Sequence, residues 1–263
     1  APVMYHPKFL VSAAHMVWFQ DLDMAQRLLT RALDISRDEG DMLQTAWALT
    51  FLGYVMMHEP EAALPIAEEG LAPFRALQHQ PGIAQALNII GEIARVSGDD
   101  DRAWDAYEEC LAVCRQTGEV RRICYMCGNL AFLAQHAGDY ERAMNLGRQG
   151  LQLARDRRDK RDMAEKMITI AGSMRADSAS HAARLLGAAE AALERLGAFY
   201  QPADTPEYDR IIAGVRQHLD DASFYAAWAE GRSMTLEQAI AYALEAVGDE
   251  RMDAKACASK AHQ

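Results

Sequence analysis

The stretch LNIIGEIARVSGDDDRAWDAYEECL, residues 87–111, decides the fold. Its centre is Gly98-Asp99, where glycine can take the left-handed conformation that ends a helix and aspartate can cap the next one. On both sides of this pair the apolar residues keep helical spacing, so the stretch predicts a helix, a tight turn and a second helix. These residues are Leu87, Ile90, Ile93 and Ala94 before the turn, and Ala103, Ala106, Tyr107 and Leu111 after it.

Small residues repeat this unit along the chain at a nearly constant interval. One series, in the second helix of each unit, has spacings of 38, 40, 40 and 40 residues: Ala25, Ala63, Ala103, Ala143 and Ala183. Another, in the first helix, has spacings of 40, 38, 40 and 40 residues: Ala13, Gly53, Gly91, Ala131 and Ala171. A third series is followed directly by leucine at each position: Ala32, Gly70, Cys110 and Gly150.

The repeat predicts an all-α fold. Small residues at fixed places on both helices let the two backbones approach closely, while the leucines fill the space between neighbouring pairs. One pair cannot bury its own apolar face, so stacked pairs must form a continuous core. We therefore expect an α-α superhelix, a right-handed solenoid of about five helix pairs with a concave side, over residues 1–198.

After Gly197 the repeat stops, and a different set of helices follows. Thr205 is predicted to cap a helix that has Pro206 in its first turn, and Thr235 to open a last helix through a capping box with Gln238. We expect residues 199–247 to form a helical cap packed on the solenoid. The polar residues 248–263 are expected to be disordered.

Two dipeptides, Leu52-Gly53 and Ile90-Gly91, resemble the Leu-Gly signature of tetratricopeptide repeats, and the series through Ala103 resembles the alanine of that family's second helix. The period here is longer than is usual in the family, and leucine replaces its signature tryptophan at Leu49 and Leu87. The resemblance implies a tetratricopeptide-like solenoid whose first helices line the concave face.

Residues 42–247 also resemble the helical-repeat region of bacterial signal-transduction ATPases, which include LuxR-type transcriptional regulators. The resemblance is most specific at 182–191 and 228–244. It implies a sensor that follows a nucleotide-binding module and controls it. The chain itself has no G-x-x-x-x-G-K-[ST] loop, and no helix-turn-helix follows Leu244, so the resemblance implies an excised sensor portion or a stand-alone relative.

Charge and hydropathy exclude some classes of partner. With 38 acidic and 27 basic residues, the formal net charge of −11 repels phosphate backbones and anionic membranes, so we expect neither nucleic acid nor a membrane as a direct partner. The apolar runs are shorter than the roughly 20 residues of a membrane-spanning helix. No secretory pattern opens the sequence, and five cysteines fit a reducing compartment, so the expected location is cytoplasmic.

No constellation of residues predicts catalysis or a cofactor. The histidines form no HExxH motif, and neither a Gly-x-Ser-x-Gly elbow nor a glycine-rich phosphate loop occurs. His136, in the turn after a first helix, could line a groove, but we expect it to be an exposed turn residue. Cys124 and Cys127, with Cys110 and Cys114 nearby, could converge on zinc. Burial as small apolar residues explains them better, because Cys110 belongs to a small-residue series.

One basic cluster stands near the end of the fourth unit: Arg155, Arg157, Arg158, Lys160 and Arg161. It could dock an acidic partner or a neighbouring nucleotide-binding module, but a solvated loop is the simpler interpretation.

The concave groove is the candidate functional site. Aromatic side chains beside hydrogen-bonding ones suit recognition of a peptide or helix, although half of these residues could equally pack between repeats. The candidate groove residues are Trp47, Thr50, Tyr54, Gln85, Asn88, Glu92, Arg95, Tyr125, Phe132, Gln135, Glu165 and Arg175.

Two functional hypotheses follow. The first is a non-catalytic sensor of a signal-transduction ATPase or LuxR-type regulator, which binds a protein, a peptide or an ATPase module of a longer parent chain. The second is a free-standing adaptor that holds a peptide or partner protein in the same groove. An upstream phosphate-binding loop in the same reading frame would favour the first. The apolar residues around Trp18 and Phe19 form a poorly capped end of the solenoid, which either an upstream segment or a second copy in a homodimer would cover.

Overall fold

The computed structural model describes residues 6–198 and 204–245, and over these the chain is helical without strands, as the sequence predicts. No described helix is both long enough and apolar enough to span a lipid bilayer. The helices are α1 Pro7–Val17, α2 Leu22–Glu39, α3 Met42–Val55, α4 Pro60–Ala76, α5 Gln80–Ser97, α6 Asp100–Thr117, α7 Val120–His136, α8 Tyr140–Asp156, α9 Lys160–Gly172, α10 Ala179–Arg195, α11 Thr205–Arg216, α12 Asp221–Arg232 and α13 over 236–245.

The chain divides into two compact units, Ala1–Arg122 and Ile123–Gln263. Unit 1 contains the helix pairs α1/α2, α3/α4 and α5/α6, and unit 2 contains α7/α8 and α9/α10 followed by α11–α13. The five predicted pairs are therefore present in the described residues. The predicted tail 248–263 lies outside those residues, as do 199–203 and 246–247 of the predicted cap.

The turns within the pairs form as the sequence predicts. Gly98 and Gly138 have φ values of 82° and 74°, the left-handed region that glycine occupies without a steric penalty. The following aspartates cap the next helices, because Oδ1 of Asp99 accepts a hydrogen bond from the Arg102 amide at 3.1 Å. Oδ1 of Asp139 accepts a hydrogen bond from the Arg142 amide in the same way, at 3.0 Å.

The small-residue series mark the closest approach of paired helices. All five alanines of the second-helix series are fully buried. A Cβ atom on Gly91 would overlap the ring of Tyr107, and one on Gly53 would lie 2.8 Å from Cβ of Ala67. Ala13 is only half-buried, and its neighbour Ala14 is the buried alanine of α1.

Helix α12 crosses α10 at a comparable distance. A Cβ atom on Gly187 would overlap the carbonyl oxygen of Trp228, and one on Gly231 would overlap that of Arg184. An ion pair also joins the two helices, with Arg184 Nη2 at 2.5 Å from a carboxylate oxygen of Glu230. The last helix of the repeats, α10, therefore has α12 as a tight neighbour.

Beyond the repeats, the predicted N-terminal cap of α13 is confirmed and that of α11 is not. Thr235 and Gln238 form the predicted capping box, each side chain bonding the other residue's amide, at 2.9 and 3.1 Å. The prediction that Thr205 caps α11 is wrong. Thr205 is the first helical residue and Asp204 precedes it at the cap position.

We expect Gly231→Ala to lower the free energy of unfolding by at least about 1 kcal/mol, although alanine favours helix, because the methyl group must push α12 away from the α10 backbone. Ala226→Ser, on the exposed side of α12, is the control and should stay within about 0.5 kcal/mol of the parent. Thermal unfolding followed by circular dichroism measures both. Equal stability of the two variants would contradict the close crossing.

Candidate functional site

The first helices of the pairs lie side by side within each unit. In unit 1, α3 contacts both α1 and α5. In unit 2, Nε2 of Gln135 on α7 donates to the carbonyl oxygen of Thr169 and to Oγ of Ser173, both at 2.9 Å, which joins α7 to α9. We call these surfaces the first-helix face of unit 1 (α1, α3 and α5) and the first-helix face of unit 2 (α7 and α9).

Five aromatic rings form a continuous stripe on the first-helix face of unit 1, and we call it the aromatic stripe: His15, Trp18, Trp47, Phe51 and Tyr54. The Trp18 and Tyr54 ring centroids are 4.3 Å apart, and Trp47 stacks on Phe51 at 5.7 Å. His15 lies 5.6 Å from both Trp18 and Phe51, so it joins the two ends. All five side chains retain contact with solvent.

Two residues of the predicted groove lie inside the pairs instead. Thr50 is fully buried, and its Oγ1 would lie 2.6 Å from a Cβ atom on Gly70 of α4. Arg95 is 4% exposed, and its Nε donates to the hydroxyl of Tyr107 on α6 at 3.4 Å. Both side chains therefore pack between the two helices of one pair, neither in the predicted groove nor between neighbouring repeats.

The remaining predicted residues of unit 1 add polar groups to this face on α5. Gln85, Asn88 and Glu92 are half-buried. The Asn88 amide donates to Oε1 of Glu92 at 3.0 Å, and Nη1 of Arg122 donates to Oε1 of Gln85 at 3.0 Å. The face thus changes from aromatic on α1 and α3 to hydrogen-bonding on α5.

In unit 2 the structure brings Tyr125, Phe132 and Glu165 together around one small cavity. Asp204 and Tyr208, at the start of α11, line it as well. Its volume of about 30 Å³ suits a water molecule rather than an organic ligand. The groove that the sequence predicts here is therefore already covered by a later segment of the chain.

A buried lysine, Lys166, lines the same cavity and is 5% exposed. It lies across from Gly128, where a Cβ atom would overlap its Nζ. Burial alone lowers the pKa of Lys166, but the negative charges that Cys124, Glu165, Asp162 and Asp204 carry when ionised outweigh it and raise the pKa above its usual value. Lys166 is thus a buried cation that nearby carboxylates keep charged.

Glu165 has the opposite balance of effects. Burial raises the pKa of this carboxyl group above its usual range, although Lys166 and Arg161 oppose the shift. Its Oε1 accepts a hydrogen bond from Nε of Arg161 at 2.8 Å. The last predicted residue, Arg175, follows α9 and is exposed, with its Nε 3.9 Å from Asp177.

The expectation that His136 is an exposed turn residue is wrong. It ends α7, and its side chain is 10% exposed, with Nε2 at 2.8 Å from Oε2 of Glu207 on α11. Glu207 is itself buried, and its Oε2 also accepts a hydrogen bond from Nη1 of Arg210 at 3.2 Å. Sequence reasoning missed this pair because its residues are 71 positions apart.

The cysteines of α6 and α7 pack as small buried residues. Sγ of Cys124 donates to the Gly150 carbonyl oxygen at 3.3 Å, and burial raises the pKa of this thiol to about 11. Cys110 lies 4.0 Å from Cys114, and its hydrogen bond to that residue, together with burial, raises its pKa. Within the described part of the chain no three potential ligands group around a metal position.

The basic cluster at 155–161 is partly neutralised within the chain. Arg157 donates to Asp162 at 2.8 Å and to Asp159 at 3.1 Å, and Arg161 pairs with Glu165. Arg155, Arg158 and Lys160 are exposed. This arrangement fits the solvated segment that the sequence favours.

Comparison with known proteins finds no matching family model. The chain is 27% identical over 237 residues to a protein of Mycobacterium bovis named as a candidate HTH-type transcriptional regulator, and to proteins of the same description in Mycobacterium tuberculosis. Each match covers 88% of this chain but 27% of the relative. The chain therefore spans about a quarter of the length of the curated relatives it matches.

Solved structures share the fold. A Rap protein in complex with Competence and Sporulation Factor has a TM-score of 0.67 at 14% identity, over 90% of this chain and 65% of that one. A signal-transduction ATPase with a tetratricopeptide-repeat sensor from Pyrococcus horikoshii has a TM-score of 0.54 at 18% identity, over 93% and 38%. These similarities show a tetratricopeptide-like helical-repeat fold.

We expect Thr50→Val to raise the free energy of unfolding by about 1–2 kcal/mol. Among the described residues the buried Oγ1 of Thr50 has no hydrogen-bond partner, and valine removes that polar atom while keeping the shape. Thr169→Val is the matched control, because the buried Thr169 hydroxyl donates a hydrogen bond to the Glu165 carbonyl oxygen at 3.2 Å. This change removes a satisfied hydroxyl and should not raise the free energy of unfolding. Urea midpoints report both, and a lower midpoint for Thr50→Val would disprove the assignment.

Proposed function

We propose that this chain is a non-catalytic binding module, the sensor region of a signal-transduction regulator, and that it recognises a peptide or protein segment on the first-helix face of unit 1. The aromatic stripe carries the proposal. Aromatic rings that keep their apolar surface at the solvent, in a fixed arrangement, supply binding energy at a small entropic cost. The polar side chains of α5 beside them can fix the register of a bound chain.

The rigidity of the stripe supports this role. Each ring touches at least one other ring, and Trp47 also meets Phe74 of α4 with centroids 4.8 Å apart. A face whose rotamers are already held by packing binds with less loss of side-chain freedom than a mobile one. The described residues contain no comparable stripe on the first-helix face of unit 2, where α11 lies.

The comparisons support the regulator over a free-standing adaptor. The mycobacterial relatives are named as transcriptional regulators and are much longer than this chain, and one structural neighbour is an ATPase with a repeat sensor. A Rap protein of the same fold was solved with Competence and Sporulation Factor bound. In our proposal residues 1–198 form the sensing repeats, residues 199–247 cap them, and an ATPase module of a longer parent receives the signal.

Selection from a random dodecapeptide library displayed on phage, with the wild-type chain as bait, tests the binding face. We expect the selected peptides to bind Tyr54→Ala about 30-fold more weakly than wild type, the loss of about 2 kcal/mol that an aromatic anchor contributes. Fluorescence polarisation with the synthesised peptides gives the dissociation constants.

Tyr140→Ala is the matched control, because Tyr140 is a tyrosine of α8 that is more exposed than Tyr54 and lies outside both first-helix faces. Its affinity should stay within threefold of wild type. Peptides that bind Tyr54→Ala as tightly as wild type, or a selection that enriches none above an unrelated bait, would refute the proposed face.

A further inference from the structure

Helix α11 lies on the first-helix face of unit 2. Its Ile211 fills the space that a side chain at Gly172 of α9 would take, with Cγ1 and Cδ1 at 2.6 and 2.7 Å from an ideal Cβ position. Val215, one turn later, is buried in the same apolar core. A glycine on α9 therefore forms a notch into which one aliphatic side chain of α11 fits.

The first turn of α11 meets this face with carboxylates. Glu207 pairs with His136 at the end of α7, at 2.8 Å. Asp204 lines the cavity that contains Lys166, and its negative charge contributes to keeping that buried ammonium protonated. The acidic end of α11 thus lies against a buried cation and an imidazole.

These contacts belong to one stripe along α11. Asp204, the adjacent pair Glu207 and Tyr208, Ile211 and Val215 follow one another at intervals of three or four residues and share one side of the helix. Asp209, Arg210 and Ala213, on the other side, are exposed. The stripe is acidic in the first turn and aliphatic one and two turns later, which is the pattern of an amphipathic helix bound in a groove.

Helix α11 has less apolar burial than the repeat helices: Ile211 and Val215 are buried in the core, and Tyr208 and Ile212 are partly buried against it. Three of its 12 residues are buried, and one of these is Glu207, whereas nine of the 13 residues of α9 are buried. The tight backbone crossing that fixes α12 on α10 has no counterpart in α11, since a Cβ atom on its Gly214 would meet nothing within 4 Å. Elements with few buried apolar contacts open locally at low cost.

We infer that α11 is an internal ligand of the first-helix face of unit 2, and that this face binds, in place of α11, a partner helix of the same chemistry. Such a helix has carboxylates in its first turn, directed at Lys166 and His136, and aliphatic side chains one and two turns later, directed at Gly172. Binding of the partner and release of α11 are then the same event. This inference does not rest on the aromatic stripe, so either can fail alone.

Hydrogen–deuterium exchange of the wild-type chain tests whether α11 opens by itself. We expect its amides to exchange at least tenfold faster than those of α9 and α10, under conditions where exchange reports local opening. Exchange of α11 only together with α10, at the rate of global unfolding, would overturn the inference.

A peptide of residues 204–219, labelled with fluorescein, tests the chemistry of the face. Ile211→Asp in the chain should undock α11, whereas Ala213→Asp adds the same charge on its exposed side and is the control. We expect the peptide to bind Ile211→Asp at least tenfold more tightly than Ala213→Asp. A peptide with Asp204→Asn and Glu207→Gln should bind Ile211→Asp at least tenfold more weakly than the parent peptide.

Three outcomes would overturn the inference. Equal affinity for the two chains would show that α11 does not compete with the peptide, and equal affinity of the two peptides would remove the role of the carboxylates. Loss of the cooperative thermal transition in Ile211→Asp would make α11 an integral part of the core rather than a replaceable ligand.

Discussion

The close approach of the two helices in each pair is the constraint on which the rest of this structure depends. It requires residues no larger than alanine, cysteine or glycine at fixed positions, and the buried series through Ala103, Gly91 and Cys110 supplies them. A larger side chain at any of these positions would separate the backbones and lose contacts on both sides. In each pair, one side of the first helix packs against the second helix. The opposite side of the first helix can therefore contact other helices or a ligand.

The close packing of paired helices explains why the repeats could be predicted from the sequence. Close packing requires a small residue in every unit, so the spacing of Ala25, Ala63, Ala103 and their successors predicts five helix pairs. Gly98-Asp99 predicts the tight turn between the two helices of a pair. Local chemistry was equally readable where both partners are near in sequence, as in the capping box of Thr235 and Gln238. The cap of α11 was misassigned because Asp204 and Thr205 are both good capping residues and the sequence does not decide between them.

The binding faces were less accessible, because they depend on contacts between distant residues. Helical periodicity places Trp47 and Tyr54 on one side of α3, but Thr50 lies close enough to that side to be mistaken for a face residue. Phe51 follows Trp47 by one turn, a signal that could have added it to the set. Nothing local shows that His136 meets Glu207, or that Lys166 lies beneath α11, because α11 is joined to these residues only by the tertiary fold.

The two first-helix faces differ in the side chains that they present. In unit 1 the aromatic stripe remains at the solvent, whereas in unit 2 α11 covers the corresponding helices with its own acidic and aliphatic side chains. A crystal structure of the chain with the tightest selected peptide tests most directly whether recognition belongs to a first-helix face. The account predicts that the peptide lies against Phe51 and Tyr54 between α1 and α3. A peptide bound to the outer surfaces of α2, α4 or α6 would contradict it.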